Sequence, residues 1–450
     1  MRRAARLVLA ALAGAMLLAT LVPAAGVAAA PPLSVRAAGN RLVDGSGQVI
    51  RLLGVNRSGT EFKCIQGGSP TNRGWGLFDG PIDATAADAI ASWHANVVRI
   101  PLNEDCWLGI NGVNPSWGGE TYQRQVAALV RTLNAAGLFV VLDLHWNAPG
   151  GFPALSQQPM PDADHSVQLW RSVAETFRDN QSVVFDLYNE PFIYGSYMAD
   201  PSGDPWQCWR DGCSLTQHLS GSGNPYTLPG QWRAAGMQTL VTTVRQTGAR
   251  NLIMAGGLDW ANDMSGWQSH APRDPASNLA MSWHSYPGQS CSPRSCWEKS
   301  VAPAAARYPV IVGETGDQVC KSPGYVPGFV PWADSHGLSY MGWTWNTWSD
   351  CSNILIKDYQ GTPTAGYGTY FRDHLMALAK NPIQPVADPG SPSLPAGVPA
   401  AIPATGAAPA PTSRLAAVPR SWKVGGVLGF VVLLGVAGVG LRRRLRPGRR

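Results

Sequence analysis

Short apolar runs rich in β-branched residues recur along the chain, separated by longer segments of mixed polarity. Most of the runs are almost continuously hydrophobic, which is typical of parallel strands buried on both faces. There are eight: Val49–Val55, Asn96–Leu102, Leu138–His145, Val183–Asn189, Asn251–Gly256, Ala280–His284, Val310–Gly313 and Leu338–Trp345. We therefore predict eight strands.

The segments between these runs have helical character. The clearest are Ala84–His94, Tyr122–Ala136, Ser166–Asp179, Trp232–Gly248 and Thr369–Ala379. Alternation of strands and helices indicates an α/β fold, either a closed (β/α)8 barrel or an open doubly wound sheet. Eight strands favour the TIM barrel, with enlarged loops at the carboxyl ends of its strands. No glycine-rich nucleotide-binding motif follows the first strand, which removes the usual reason for an open sheet.

The two ends of the chain differ from this pattern. Residues 1–30 combine Arg2, Arg3 and Arg6 with an apolar run and then small residues, which is the layout of a signal peptide. We expect cleavage after Ala28 rather than Ala30, because Pro31 would otherwise be the first mature residue. The alternative is a retained N-terminal anchor.

The other end carries an uncharged apolar stretch of 18 residues, Val424–Leu441. It is long enough to cross a hydrocarbon core of about 30 Å as a helix. The arginine-rich residues 442–450 follow it and predict a cytoplasmic tail, with the upstream chain outside the cell. Residues 402–406 (IPATG) faintly resemble a sortase signal, but three basic residues intervene before the apolar stretch. A transmembrane anchor is therefore preferred over sortase attachment to the wall.

Residues 381–423 are rich in Pro, Ala, Gly and Ser and predict an extended linker. Residues 31–380 remain for the folded domain. Two domains are possible on length alone, but one barrel of about 250 residues enlarged by insertions fits as well.

The formal charge of +6 reflects the chain ends, because residues 1–30 and 413–450 hold 12 of the 35 basic residues and no acids. The rest has 23 basic against 29 acidic residues, so no nucleic-acid partner is expected. All eight cysteines lie between residues 64 and 351. An even number in an exported protein favours disulfides, and without a CxxC pair no metal site is expected.

Polar residues end most of the predicted strands. They are Asn56, Arg99, His145, Asn189 with Glu190, His284 with Tyr286, Glu314 and, on the eighth strand, Trp343. In a barrel the carboxyl ends of all strands meet at one face, where active sites form. We therefore predict that these side chains line a single pocket.

These residues occur in motifs that resemble glycoside hydrolase family 5, the cellulase family, over roughly residues 40–380. The motifs are NVVRIPL (Arg99), VLDLHWN (His145), FDLYNEP (Asn189 and Glu190), SWHSYPG (His284 and Tyr286), YPVIVGETG (Glu314) and GWTWNTW (Trp343). The NEP triplet alone is a weak signal, but the ordered combination is specific. Thr315 after Glu314 and the insertion 192–226 depart from the family pattern and affect substrate choice more than chemistry.

The resemblance implies a retaining mechanism, with Glu190 as acid/base, Glu314 as nucleophile and their carboxyl groups about 5–5.5 Å apart. It implies that Asn189 binds the sugar 2-OH. We expect Glu314 to raise the pKa of Glu190, and Arg99 and Tyr286 to keep Glu314 charged.

The remaining polar and aromatic residues are expected to bind sugar. His145 and His284 are predicted to donate to hydroxyls, and Trp343 to stack on the sugar before the scissile bond. Seven further tryptophans fall in loops of that face, and about three of them should line the cleft. They are Trp75, Trp107, Trp146, Trp206, Trp209, Trp260 and Trp348.

The expected activity is endo-hydrolysis of a β-1,4-glucan, with a β-mannanase or another β-glucan hydrolase as the alternative. A surface carbohydrate-binding protein without turnover is the alternative from another class, but two acids held close together argue against it. We expect no cofactor, a polysaccharide partner, a membrane contact through the C-terminal helix and a monomer.

Adjacency in the barrel narrows the disulfide connectivity. Loops after neighbouring strands carry Cys64 and Cys106, and likewise Cys320 and Cys351. Cys208 with Cys213 and Cys291 with Cys296 can close small loops. We predict these four pairs, all on the catalytic face.

Overall fold

Eight parallel strands form one closed barrel in the computed structural model, which describes residues 33–66, 77–216, 230–318, 324–348 and 352–381. They are β1 (Leu53–Asn56), β2 (Val97–Asn103), β3 (Phe139–Trp146), β4 (Val183–Asp186), β5 (Ile253–Gly256), β6 (Leu279–Ser285), β7 (Val310–Thr315) and β8 (Ser339–Gly342). The barrel closes where β8 pairs in parallel with β1. Each strand lies within or overlaps one predicted run, so the predicted barrel is confirmed.

Helices surround the barrel and complete the α/β alternation. They are Ala84–Ala91, Glu104–Leu108, Glu120–Ala135, Ser166–Phe177, Pro205–Asp211, Met237–Gln246, Trp267–His270, Arg294–Cys296, Ala302–Ala305, Val326–Ser335 and Tyr367–Lys380, with short turns of 3-10 and π helix at Gly195–Tyr197 and Trp297–Val301. In Glu120–Ala135, Tyr122, Val126, Leu129 and Leu133 are buried on one face. That spacing of three to four residues is what packs a helix against a sheet.

Two predicted elements differ from the structure. Within the predicted first strand, Val49–Ile50 pairs antiparallel with Arg41–Asp44, which pairs with Val35–Ala38 in a separate sheet. The predicted helix Trp232–Gly248 begins only at Met237, because Gln231–Arg233 pairs with Ser214–Thr216. Both errors arise from antiparallel pairing with a second strand, which the hydrophobic pattern of a single segment does not show.

Alternate residues of each strand point into the barrel and divide it into an apolar end and a polar end. Near the amino ends of the strands, inward residues such as Val97 and Val141 form one cluster with Val35 and Leu42 of the separate sheet, which closes that end. Two positions further along β2 and β3 the inward residues are Arg99 and Asp143. The polar end is therefore the face on which the predicted site residues meet.

Three predicted disulfides are confirmed: Cys64–Cys106, Cys208–Cys213 and Cys291–Cys296. The fourth, Cys320–Cys351, involves residues outside those that the structure describes. The predicted signal peptide, anchor and tail, and all but the first residue of the linker, also lie outside them. Among the helices that the structure describes, none has the length and apolar character needed to cross a membrane.

Candidate active site

Arg99 lies at the centre of the predicted site. Its guanidinium is fully buried and donates to Glu314 Oε1 at 2.7 Å, to Asn189 Oδ1 at 2.9 Å and to Asn56 Oδ1 at 3.1 Å. These partners come from β7, the loop after β4 and β1. One rigid planar cation on β2 thus fixes the positions of groups from three other parts of the barrel.

Two carboxylates that the sequence interpretation missed complete the surroundings of Arg99. Asp143 Oδ2 lies 3.2 Å and Asp186 Oδ2 lies 3.1 Å from guanidinium nitrogens. The two aspartates are register partners on β3 and β4. Burial by itself would lower the pKa of Arg99, but Asp143, Asp186 and Glu314 raise it. The sequence did contain a signal for these two aspartates, because a carboxylate inside a buried apolar strand is costly unless it is paired.

Glu314, near the end of β7, has a donor on each carboxylate oxygen. Arg99 donates to Oε1, and the Tyr286 hydroxyl donates to Oε2 at 2.8 Å. The residue is only 5 % exposed. Charge-assisted bonds to both oxygens stabilise the carboxylate form. The contacts predicted for Glu314 from Arg99 and Tyr286 are therefore present.

Glu190 follows β4, and its side chain is 18 % exposed. Burial raises its pKa to about 7, against the opposing charges of His145 and Arg99, while Asp143 acts in the same direction as burial. We expected Glu314 to be the cause, and this expectation is wrong, because desolvation of Glu190 is the largest contribution. One carboxylate oxygen of Glu190 and one of Glu314 lie within 4.8 Å of each other.

His284 on β6 is fully buried, and its Nδ1 lies 2.9 Å from Glu190 Oε1. Burial lowers the pKa of His284 to about 3, although Glu314 opposes the shift, so the ring is neutral. Its Nε2 packs on the backbone of Gly313, where a Cβ would lie 2.7 Å away. A glycine at position 313 is therefore needed for this ring to fit. His284 contacts the predicted acid/base directly.

His145, at the end of β3, forms a charged pair with Asp143. The two side chains are 2.8 Å apart, and the imidazole stacks on Trp343 with ring centroids 5.6 Å apart and an angle of 13°. Burial lowers the pKa of His145, but Asp143 outweighs burial and raises it to about 9. His145 is therefore an imidazolium beside the tryptophan predicted to bind sugar.

Gln157, in the loop after β3, is a further residue that the sequence did not reveal. Its amide nitrogen donates to the backbone carbonyl of Glu190 at 2.6 Å, and its amide oxygen accepts a hydrogen bond from the Asn189 side chain. Asn189 is thereby held between Gln157 and Arg99. No local pattern marks Gln157, because it lies in an irregular loop.

The segment after β5 has an unusual backbone. Asp259, Trp260 and Ala261 have φ angles of 52°, 63° and 56°, in the left-handed region that non-glycine residues rarely occupy. Trp260 N–H donates to the carbonyl of Pro191, next to Glu190, at 3.0 Å, and the Trp260 ring stacks on Phe192 at 3.9 Å. Strain of this kind clusters at functional sites.

Two groups of described side chains have the spacing of metal ligands: Glu190, His284 and Glu314, and also Glu104, Asp162 and His165. In the first group the Arg99 cation already bonds Glu314 and would repel a second cation. In the second, the Ser166 hydroxyl donates to Glu104 at 2.5 Å. Hydrogen bonds thus engage carboxylates of both groups. The expected absence of a metal stays a prediction.

Comparison with known families identifies this arrangement. The family model "Cellulase (glycosyl hydrolase family 5)" matches residues 55–349. The chain belongs to this family, and the family and the class of enzyme inferred from the motifs, a glycoside hydrolase, are confirmed.

Among characterised relatives, a mannan endo-1,4-beta-mannosidase of Streptomyces lividans is 24 % identical over 338 residues, covering 74 % of this chain and 71 % of that protein. A manganese-dependent endoglucanase of Phanerodontia chrysosporium is 30 % identical over 200 residues, 42 % of this chain. The chain spans 46 % of the length of that endoglucanase.

Among solved structures, a beta-glucanase of Saccharophagus degradans in complex with cellotetraose has a TM-score of 0.56 at 20 % identity. The alignment covers 77 % of this chain and 94 % of the other. An endocellulase of Pyrococcus horikoshii has a TM-score of 0.54 at 18 % identity, with 77 % and 98 % covered. These similarities support the fold.

Proposed function

We propose that this protein is a retaining, endo-acting β-glycoside hydrolase that cleaves a β-1,4-linked polysaccharide by double displacement. The observation that carries the proposal is the Glu190–Glu314 pair, with carboxylate oxygens within 4.8 Å of each other and different surroundings. A separation near 5 Å suits attack by one carboxylate on the sugar, whereas inversion needs about 6.5–9.5 Å to leave room for water. A binding protein without turnover has no use for such a pair.

The surroundings assign the two roles. Glu314 carries donors on both oxygens and acts as the nucleophile that forms the glycosyl-enzyme. Glu190, with a pKa raised by burial to about 7, holds a proton near neutral pH and gives it to the leaving oxygen. The Glu190 carboxylate then takes a proton from the water that hydrolyses the intermediate. Neutral His284, 2.9 Å from Glu190, orients that carboxyl group.

Sugar binding follows from the groups around this pair. We assign Asn189 to the sugar 2-OH, because Arg99 and Gln157 fix its amide. Trp343 is assigned as the stacking surface before the scissile bond, backed by His145. We no longer assign His284 to a sugar hydroxyl, since it is buried against Glu190.

Aromatic side chains in loops after well-separated strands of the barrel support endo action on a long chain. On one side, Phe62 lies between Trp146 and Trp348, with ring centroids 6.3 Å and 6.4 Å apart. Trp348 is 42 % exposed, and its indole donates to Asp79 at 2.9 Å.

On the other side, in the segments after β4 and β5, Trp260 is fixed to the residue after Glu190, and the hydroxyl of the exposed Tyr194 donates to Asp259 at 2.8 Å. Such ring faces suit the apolar faces of pyranoses. Glucan is the first choice of substrate, and mannan is the alternative. Release of reducing sugar from cellulose, mixed-linkage glucan and mannan distinguishes the two.

Variants of the carboxylate pair test the roles. Glu314→Gln should abolish turnover, with a loss of at least about 10⁴-fold, because no covalent intermediate can form. Glu190→Gln should still release a burst of phenol from an activated aryl glycoside and then stall, since attack needs no proton but deglycosylation needs a base. Rapid-quench kinetics measure both. A burst from the Glu314 variant instead would show that the roles are exchanged.

We also propose that the catalytic domain is exported by the signal peptide 1–30 and held at the cell surface by the helix 424–441. The apolar length and the arginine-rich tail of 442–450 support this proposal. A chain truncated before Asn381 should be released as active enzyme into the medium, while the full chain stays with membranes. Fractionation with an activity assay tests this, and retention of the truncated chain in membranes would contradict it.

A further inference from the structure

A cavity of about 510 Å³ lies between the loop after β3 and the hairpin inserted after β4. It is lined by Pro149, Gly150, Phe152, Ala163, Asp164, Gln231, Trp232 and Arg233. None of the residues assigned to catalysis or to the sugar at the scissile bond lines it. Its volume falls in the range of about 300–1,000 Å³ that holds small ligands.

The walls of the cavity are firmly connected. Two backbone hydrogen bonds join the loop after β3 to the hairpin. Ala163 N–H donates to the Arg233 carbonyl at 2.9 Å, and Ala235 N–H donates to the Pro161 carbonyl at 2.8 Å. The Asp164 carboxylate accepts the Gly150 N–H at 2.7 Å. The hairpin is further tied by the disulfide Cys208–Cys213, since Ala234 N–H donates to the Cys213 carbonyl. The cavity is therefore preformed, which lowers the entropic cost of binding.

The lining has the chemistry of a sugar site. Phe152 and Trp232 are half-buried rings, while Asp164, Gln231 and Arg233 are exposed polar groups. Among the described residues, the Trp232 indole and the Arg233 guanidinium have no hydrogen-bond acceptor, so both donors are available to a ligand. Arg233 and Asp164 cancel in charge, which favours a neutral polar ligand over an ion.

The cavity and the catalytic centre share the loop after β3. The loop after β3 carries Phe152 at the cavity and, five residues later, Gln157 against Asn189 and the Glu190 backbone. Both sites are therefore built on loops at the carboxyl ends of β3 and β4.

We infer that this cavity is a second carbohydrate-binding site, which takes pyranose units of the β-linked polysaccharide outside the catalytic centre. The inference rests on the proposed function for the identity of the sugar. Stacking on Trp232 and hydrogen bonds from Arg233 and to Asp164 hold the chain. The site raises the residence of the enzyme on polymer and leaves the chemical step unchanged.

Calorimetric titration of the full-length Glu314→Gln protein with cellohexaose and mannohexaose tests the inference. We expect two binding events for one of the sugars. In the Glu314→Gln protein, Trp232→Ala should weaken one of the two binding events at least tenfold. Arg233→Ala should weaken the same event by a similar factor, and because Arg233 is exposed this variant should fold normally. Trp343→Ala, as the matched control in the catalytic centre, should weaken only the other event.

Kinetics in the otherwise unmodified enzyme give a second readout. For Trp232→Ala and Arg233→Ala, kcat/KM on polymer should fall at least fivefold relative to kcat/KM on an aryl cellobioside or mannobioside. A single binding event, or equal losses on polymer and aryl substrate, would overturn the inference. Absence of hydrolysis on every substrate, with Trp232-dependent binding retained, would instead overturn the proposed function alone.

Discussion

At the scale of single residues, the site is a network of charges centred on Arg99. The sequence predicted the eight residues Arg99, His145, Asn189, Glu190, His284, Tyr286, Glu314 and Trp343, and the structure brings them together at one end of the barrel. It did not predict Asp143 and Asp186, which lie in the same motifs. Both were interpreted as parts of apolar strands, although their burial requires partners, and Arg99 is the cation that they share.

The pair of Asp143 and His145 makes a testable residue-scale prediction. In the native protein Asp143 keeps His145 charged, with a pKa of about 9. Asp143→Asn removes this charge while the burial that disfavours the imidazolium remains, so the pKa of His145 should fall from about 9, although Glu61 and Glu314 still raise it. NMR titration of the histidine ring nitrogens measures it.

The neighbouring His284, neutral in both proteins, serves as the internal control for that titration. An unchanged titration of His145 in the Asp143→Asn protein would contradict the assigned pair. Activity should fall as well, because the positive charge of the ring stacked on Trp343 is then less strongly held.

At the scale of elements, the loops after the strands decide how the site is built. Hydrophobic runs predicted all eight barrel strands, because burial on both faces leaves a local signal. The hydrophobic pattern did not predict two smaller sheets. They are the three-stranded sheet of Val35–Ala38, Arg41–Asp44 and Val49–Ile50 and the hairpin of Ser214–Thr216 and Gln231–Arg233. These elements are short and owe their stability to tertiary contacts, so their sequences carry little pattern.

A fourth disulfide is expected between the loops after β7 and β8. Since three of the four expected pairs are present, we expect Cys320 and Cys351, after neighbouring strands β7 and β8, to be bonded as well. The bond would close a loop of about 31 residues and contribute roughly 3 kcal/mol to the free energy of unfolding. Peptide mapping without reductant should find this linkage.

The double variant Cys320→Ser/Cys351→Ser should then unfold at lower denaturant concentration than the native protein. Detection of two free thiols in the native protein would contradict the prediction. Cys291→Ser/Cys296→Ser, which opens a loop with a sequence separation of only 5, is the matched control and should cost less.

At the scale of the whole molecule, buried carboxyl groups govern how stability depends on pH. Burial is the largest cause that raises the pKa of Glu61, Asp186 and Glu190 to about 7, and of Asp105 and Asp162 to about 6. It also raises the pKa of Glu104, together with the charge of Asp162. The folded state therefore binds more protons than the unfolded state above about pH 4.

These raised carboxyl pKa values make the folded protein less stable as the pH rises. Stability from these protonated carboxyls is present at low pH and is lost as the pH rises through their folded-state pKa values. The raised pKa of His145 likewise contributes stability that is lost as the pH rises to about 9. The pKa of His284 is lowered to about 3, so this residue has the opposite effect on stability, but only below about pH 6.5. The free energy of unfolding should thus fall from pH 5 to pH 8.

Urea denaturation at several pH values measures this decline. Glu104→Gln should make this decline less steep, because the variant cannot ionise in its buried position. Glu175→Gln, at an exposed helical carboxylate, is the control and should leave the slope unchanged. A free energy of unfolding that rises over this range would contradict the prediction.

The sequence by itself determined the eight strands of the barrel, the family, the two catalytic candidates and three of the disulfides, because each leaves a signal in neighbouring residues or in ordered motifs. Only the tertiary structure decided that Asp143 and Asp186 share Arg99, that burial raises the pKa of Glu190, and that His284, predicted to donate to a sugar hydroxyl, contacts the acid/base. It alone also formed the cavity at Trp232. Desolvation and the distances between groups on different strands depend on how the whole barrel packs, and no stretch of sequence contains them.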